Sequence, residues 1–290
     1  MINLTIFRIF AALNIGYTNL KMAEEEKDDK KMPFLKHLEE LRWRLVKSSI
    51  AILIIATVLF IYTDPIINHV YLAMSEMDFP TYQFFCWMSQ SLGLEDTLCG
   101  TEIPIDIQSI EMTQQFATNM YFAIVGGFLM CFPFIFHQIW SFVKPGLKNK
   151  EVYVTKGIVF YGSLLFFFGV AFGYFLVSPL CVQFFGSYKL TAEIQNNFTI
   201  NSYMTMITTT TLFSGLFFEL PIIIYLLTKL SIISPALLIK YRKHALVAIL
   251  VLSAIITPPD VISQVLVSFP ILILYEIGII ASKRVAKKRK

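Results

Sequence analysis

Few residues in this 290-residue chain are set to do chemistry, and their surroundings limit what that chemistry is. Glu219 stands in Leu216-Phe217-Phe218-Glu219-Leu220-Pro221, well inside an apolar run. A carboxyl at such depth costs about 2.5–3.5 kcal/mol on insertion scales. A structural role could be filled more cheaply, so Glu219 reads as functional. Glu276 sits nearer the end of the last apolar run, within expected reach of Lys283 or Arg284, and reads as structural. The segment His37-Leu38-Glu39-Glu40-Leu41-Arg42-Trp43-Arg44-Leu45 puts Leu38, Leu41 and Leu45 on one helical face and spaces Glu40 and Arg44 as an i, i+4 pair. Taken alone it is an amphipathic lead-in with a solvated ion pair. The stretch from Gln138 to Glu151 holds Trp140 and Phe142, aromatics suited to a membrane interface, then the turn signal Pro145-Gly146. Taken alone it is an anchored loop ending in one carboxylate.

Other chemistries lack their residues. There is no HExxH, no P-loop and no Gly-x-Ser-x-Gly, so the chain does not read as an enzyme. The four histidines are scattered and no cysteine pair has CxxC spacing, so neither a metal nor another cofactor is expected. Cys131 and Cys181 lie in apolar runs and read as small buried hydrophobes. Cys86 and Cys99 share one polar segment, where a disulfide closing a small loop is expected on the oxidising side of a membrane. No basic stripe is interleaved with aromatics outside the apolar runs, so nucleic acid is not an expected partner.

The elements that hold these residues follow from composition. The chain is 56% hydrophobic and 15% charged, and its apolar residues fall in long runs rather than in alternation. Such runs need a hydrocarbon solvent, so the lipid bilayer is the first partner. Candidate spans cover residues 46–62, 116–136, 154–185 and 203–230. A last run, 245–280, is interrupted by Thr257-Pro258-Pro259-Asp260. Two prolines remove two donors, and an aspartate in mid-membrane is costly. The run therefore reads as a hairpin of two short helices, 245–256 and 261–280. The predicted fold is an all-α polytopic membrane protein with six transmembrane helices, the last two short.

Charge parity supports an even number of spans. Lys36, Arg42 and Arg44 precede the first and Lys47 stands at its start; residues 63–115 contain no Lys or Arg; Lys144, Lys148 and Lys150 follow the second; Lys189 stands alone after the third; Lys240, Arg242 and Lys243 follow the fourth. The tail carries six basic residues between Lys283 and Lys290. Basic segments alternate with non-basic ones, as an N-in, C-in topology requires. At about 1.5 Å per residue the fifth helix covers about 18 Å against a hydrocarbon core of about 30 Å, so local thinning or shelter by neighbours is expected. Residues 63–115 are long for a loop and are predicted to carry structure of their own. The domain reading is an N-terminal extension over 1–33, a membrane domain over 34–283 and a basic cytoplasmic tail over 284–290, with Met22 read as the start of an ordinary cytosolic N-terminus.

Four motifs taken together resemble the TatC family of the twin-arginine protein translocase: His-Leu-x-Glu-Leu-Arg before span one, Gln-x-Trp-x-Phe-x-x-Pro-Gly-Leu leading to Glu151, Phe-Glu-Leu-Pro around Glu219, and Thr-Pro-Pro-Asp-Val-x-Ser-Gln at 257–264. They occur in the family's order, and the resemblance covers about residues 34–283. The resemblance implies a receptor for signal peptides with two consecutive arginines on folded cargo. It implies assembly with single-span partners of the TatA and TatB kind and with other TatC copies, and transport driven by the proton gradient; the lack of a clear Arg- and Ser-rich transit peptide points to a bacterial inner membrane. It assigns arginine binding to Glu40 and Glu151, with Leu41, Arg42 and Phe142 beside them. It makes Glu219 the intramembrane functional residue and puts Pro258, Asp260 and Gln264 in a periplasmic hairpin. Arginine's planar fork fits a carboxylate better than lysine's point charge, which is the physical basis for preferring paired arginines. The sequence departs from the family in Val152, where arginine is usual, in the length of 63–115 with its cysteine pair, and in the leader before Met22. The competing reading, a proton-coupled solute transporter, would account for Glu219, but no internal repeat supports it.

Overall fold

The computed structural model describes residues 34–76, 78–91, 106–144, 157–189, 191, 196–256 and 261–287. The chain divides into two units, Met1–Trp43 and Arg44–Lys290. Helix α1, Phe34–Ile61, begins well before the predicted span. No proline or glycine separates the amphipathic lead-in from the apolar run, so one helix carries both.

As predicted, residues 63–115 hold structure. A short helix α2, Thr63–Ile66, runs into a π-helical turn, Ile67–Tyr71, and a 3-10 turn, Leu72–Ser75. Helix α3, Pro80–Ser91, and strand β1, Asp106–Gln108, follow. Helix α4, Gln114–Val143, extends about two turns past the expected end of its span. Span three is built from α5, Ile158–Phe172, a π-helical turn, Gly173–Val177, and α6, Ser178–Ser187. Strand β2, Asn197–Thr199, leads into α7, Ile200–Phe218, and Thr199 caps that helix by accepting from the Ser202 N–H. Helix α8, Leu220–Lys229, continues the span. A short α9, Pro235–Lys240, precedes α10, Arg242–Ile256, and α11, Val261–Lys287. Among the described residues four helical stretches are long and apolar enough to cross a membrane: His37–Ile61, Gln114–Val143, Ile158–Ser187 and Ile200–Lys229.

Spans three and four approach closely because glycines permit it. A Cβ at Gly169 would lie 2.7 Å from the Ser214 carbonyl oxygen, and one at Gly173 would lie 2.9 Å from the Thr211 Cα. Small residues four apart are how membrane helices gain packing where the lipid is as apolar as the partner. Spans two and three meet through Phe132 and Phe166, stacked with centroids 3.5 Å apart.

One end of the bundle is closed by a cap made from residues 63–91. Tyr71, Met74, Phe79 and Tyr82 are buried there against Phe122, Val182, Tyr203, Met204 and Ile207. Hydroxyls latch it: Tyr203 donates to the Tyr71 carbonyl at 2.8 Å, Tyr174 to the Val70 carbonyl at 2.8 Å, and Tyr71 and Thr208 share a 2.7 Å bond. Outside the spans, burial pushes the Tyr82 phenol up to about 12 and raises that of Tyr71 as well, so both stay neutral donors. A parallel ladder, Asp106↔Asn197, Ile107↔Phe198 and Gln108↔Thr199, ties the strand after the cap to the segment entering span four.

Candidate functional site

Within the first unit, Glu40 faces His37, with Nδ1 4.0 Å from Oε2, and the Glu40 side chain keeps 25% of its exposure. Leu41 is half-buried and Arg42 exposed. The Arg42 guanidinium lies 5.8 Å from the ring centroid of Trp43. A partly shielded carboxylate is the setting in which a charge-assisted hydrogen bond keeps most of its strength.

In the second unit, the first residues of the motif, 138–143, lie on helix α4 rather than in a loop, which corrects the expectation for them, and residues 145–151 lie outside the described residues. Nothing before Pro145 breaks the helical pattern, so Gln138, Trp140 and Phe142 all sit on its last turns. Gln138 and Trp140 are buried and Phe142 is half-buried. Arg44 Nη1 donates to Gln138 Oε1 at 3.4 Å, joining the start of span one to the end of span two. Ser48 donates to the Arg44 carbonyl at 3.0 Å, holding that turn. Glu151, the second carboxylate of the predicted pair, lies outside the described residues.

Glu219 is where span four breaks. It closes α7 and opens α8, its own N–H bonded to the Leu216 carbonyl at 3.2 Å. Pro221 is the cause: it lacks the N–H that would continue the ladder, and its ring crowds the preceding turn. The carboxyl is 4% exposed, and neither oxygen has a hydrogen-bond partner among the described residues. The Thr211 and Ser214 hydroxyls, on the preceding turns of α7, are also buried and without such a bond among the described residues. Neither was singled out from sequence. The signal was there, in the polar run Thr208-Thr209-Thr210-Thr211 and Ser214 within an apolar span.

At the hairpin, Gln264 Nε2 donates to the Leu250 carbonyl at 3.1 Å and so ties α11 to α10. Pro258 and Asp260 lie outside the described residues. Glu276 does not reach Lys283 or Arg284; it pairs with Arg242 at 2.7 Å. Lys283 is two turns away along the same helix, about 10 Å, whereas the antiparallel α10 starts beside Glu276. Cys131 and Cys181 are buried and outside any disulfide, as expected. Cys86 is half-buried on α3 and disulfide-bonded, and Cys99 lies outside the described residues. Among the described residues no group of three His, Cys, Asp or Glu could hold a metal.

Comparison with known proteins supplies the family. Residues 36–270 match the family described as Sec-independent protein translocase protein (TatC). The chain is 34% identical over 259 residues to the Sec-independent protein translocase protein TatC of Blattabacterium, covering 89% of this chain and 97% of that protein. It is 34% identical over 265 residues to the TatC of Carboxydothermus hydrogenoformans, covering 90% and 97%. A crystal structure titled twin arginine translocase receptor TatC superposes with a TM-score of 0.62 at 28% identity, over 86% of this chain and 99% of that one. A second, in the detergent DDM, gives 0.66 at 28%, over 85% and 99%. A family match across most of the chain, with the same arrangement of apolar helices, leads to one conclusion: this multi-pass membrane protein belongs to the TatC family of Sec-independent protein translocase proteins.

Proposed function

We propose that the chain is the core receptor subunit of a twin-arginine translocase, a protein-transport component and not an enzyme, which binds the signal peptides of folded cargo at the cytoplasmic face. The observation that carries this reading is the continuous family match over residues 36–270, which contains Glu40, Phe142, Glu151, Glu219 and Gln264 in one chain. Glu40 and Glu151 grip the paired guanidiniums, flanked by Leu41, Arg42 and Phe142. The half-buried setting of Glu40 supports a contact stronger than an open surface pair. An exposed ion pair contributes about 0–1 kcal/mol, against about 1.5–3 kcal/mol for a shielded hydrogen bond to a charge. Two such contacts give modest affinity, so the apolar stretch of the signal peptide adds binding along the helices.

The topology proposed is six spans with both termini cytoplasmic, supported by the alternation of basic segments and by the antiparallel α10–α11 hairpin. Residues 1–33 form the extension, 34–283 the membrane domain and 284–290 the tail, although α11 continues to Lys287. Pro258, Asp260 and Gln264 mark the periplasmic hairpin, and Cys99 is the proposed partner of Cys86. Glu219 is the intramembrane functional residue, its carboxyl enclosed by the chain itself at a cost that a structural residue would not carry.

Glu40→Ala and Glu151→Ala should each weaken binding of a twin-arginine peptide to the reconstituted protein about fivefold, the equivalent of about 1 kcal/mol. A twin-lysine peptide should bind the unaltered protein about as weakly. Equal affinity in all these pairings would refute the site.

A further inference from the structure

Helix α3 is amphipathic in the wrong sense for a water-facing helix. Thr81, Tyr82 and Ser89 are turned inward and buried, while Phe84 is 54% and Trp87 65% exposed on the opposite side. The two outward rings lie 6.2 Å apart, one turn from each other. A helix covered by water puts its polar residues outward. The outward face here is Pro80, Gln83, Phe84, Trp87 and Gln90, and no Asp, Glu, Lys or Arg occurs anywhere in Pro80–Ser91. Uncharged aromatic rings flanked by amides are what the boundary between headgroups and acyl chains selects, since the ring is apolar and its edge tolerates water.

The anchoring of α3 sets its depth. Phe79, just ahead of it, stacks on Phe175 of span three with centroids 6.0 Å apart and planes at 24°. The Thr81 hydroxyl donates to the Phe175 carbonyl, and Tyr82 donates to the Pro179 carbonyl at 3.2 Å. Phe175 is itself exposed on the helical stretch whose outward residues include Phe160 and Phe168, so α3 continues a lipid-facing aromatic surface. Phe175 lies about 26 Å of helical rise beyond Ile158, close to the hydrocarbon thickness of about 30 Å. The exposed Glu76 and Asp78 immediately before α3 show where the chain is still in water.

We propose that α3 lies in the membrane interface on the cap side, with Phe84 and Trp87 inserted among phospholipids. The contact is apolar, so it does not depend on headgroup charge or salt. It is independent of signal-peptide binding, and its failure would leave the receptor reading untouched.

The test uses the full chain reconstituted in phosphatidylcholine vesicles brominated either near the glycerol end or near the methyl end of the acyl chains. Subtracting the fluorescence of Trp87→Phe from that of the unaltered protein isolates Trp87 from Trp43 and Trp140. The expected result is loss of most Trp87 emission with shallow bromine, a smaller loss with deep bromine, little quenching by aqueous iodide, and no change on adding salt. Quenching by iodide alone would mean a water-facing helix. Protection from both quenchers would mean cover by a partner protein or a second copy. Either overturns the proposal. A chain carrying Trp87→Phe with Phe84→Trp gives the same reading from the neighbouring position.

Discussion

The two halves of α7 are made of similar residues and use them differently. In the first half polar groups near the cap have work within the chain: Tyr203 donates to the Tyr71 carbonyl, Thr208 shares a bond with the Tyr71 hydroxyl, and Thr209 bonds back to the Thr205 carbonyl. In the second half Thr211, Ser214 and the carboxyl of Glu219 are buried with no hydrogen bond among the described residues. The first half holds the chain together. A polar group buried without a partner costs free energy, so the second half lowers the stability of the chain and marks Glu219 as kept for something other than packing.

The comparison breaks most sharply at Tyr71. Replacing it by alanine empties a buried site and removes the bond to Thr208, so Tyr71→Ala should lower stability by about 3–5 kcal/mol, seen as a large fall in the thermal midpoint in detergent. Next comes the close approach that lets α7 sit where it does. Gly173→Val forces atoms against Thr211 and Ser214 and should cost about 1–3 kcal/mol by the same measurement. Hydroxyl and carboxyl deletions then set the halves against each other. Tyr203→Phe should cost about 1 kcal/mol because it strands a buried carbonyl, whereas Glu219→Leu should leave the isolated chain as stable or about 1 kcal/mol more so. Glu219→Leu should nonetheless lose co-purification of single-span partners, and a destabilised Glu219→Leu chain with partners retained would erase the distinction. The smallest effect calibrates the scale. Ser231 closes α8 at φ 64°, with the Ile232 N–H bonded to the Leu227 carbonyl at 3.0 Å, a turn that favours glycine. Ser231→Gly should raise stability by about 0.5–1 kcal/mol.

Much of this was legible before any coordinates. The apolar runs marked the spans, and the depth of Glu219 in its run marked it as costly. Residues 63–115 were recognisably too long for a plain loop. Other features escaped for identifiable reasons. The start of α1 and the end of α4 overran their apolar runs because backbone hydrogen bonding carries a helix past the end of its apolar residues, while hydropathy registers only the lipid-facing part. Sequence shows only local neighbours and so offers Glu276 a partner on its own helix, whereas its partner Arg242 lies on the antiparallel helix. The β1–β2 pairing joins three-residue strands from distant segments, too short to leave a period.

Sequence by itself determined the solvent, the approximate spans and the residue types proposed to grip arginine, because those depend on local composition summed along the chain. Tertiary structure alone decided which polar groups found partners. Hydrogen bonds between the cap and span four, and their absence around Glu219 among the described residues, depend on which helices meet and at what height, and only the packed bundle specifies that.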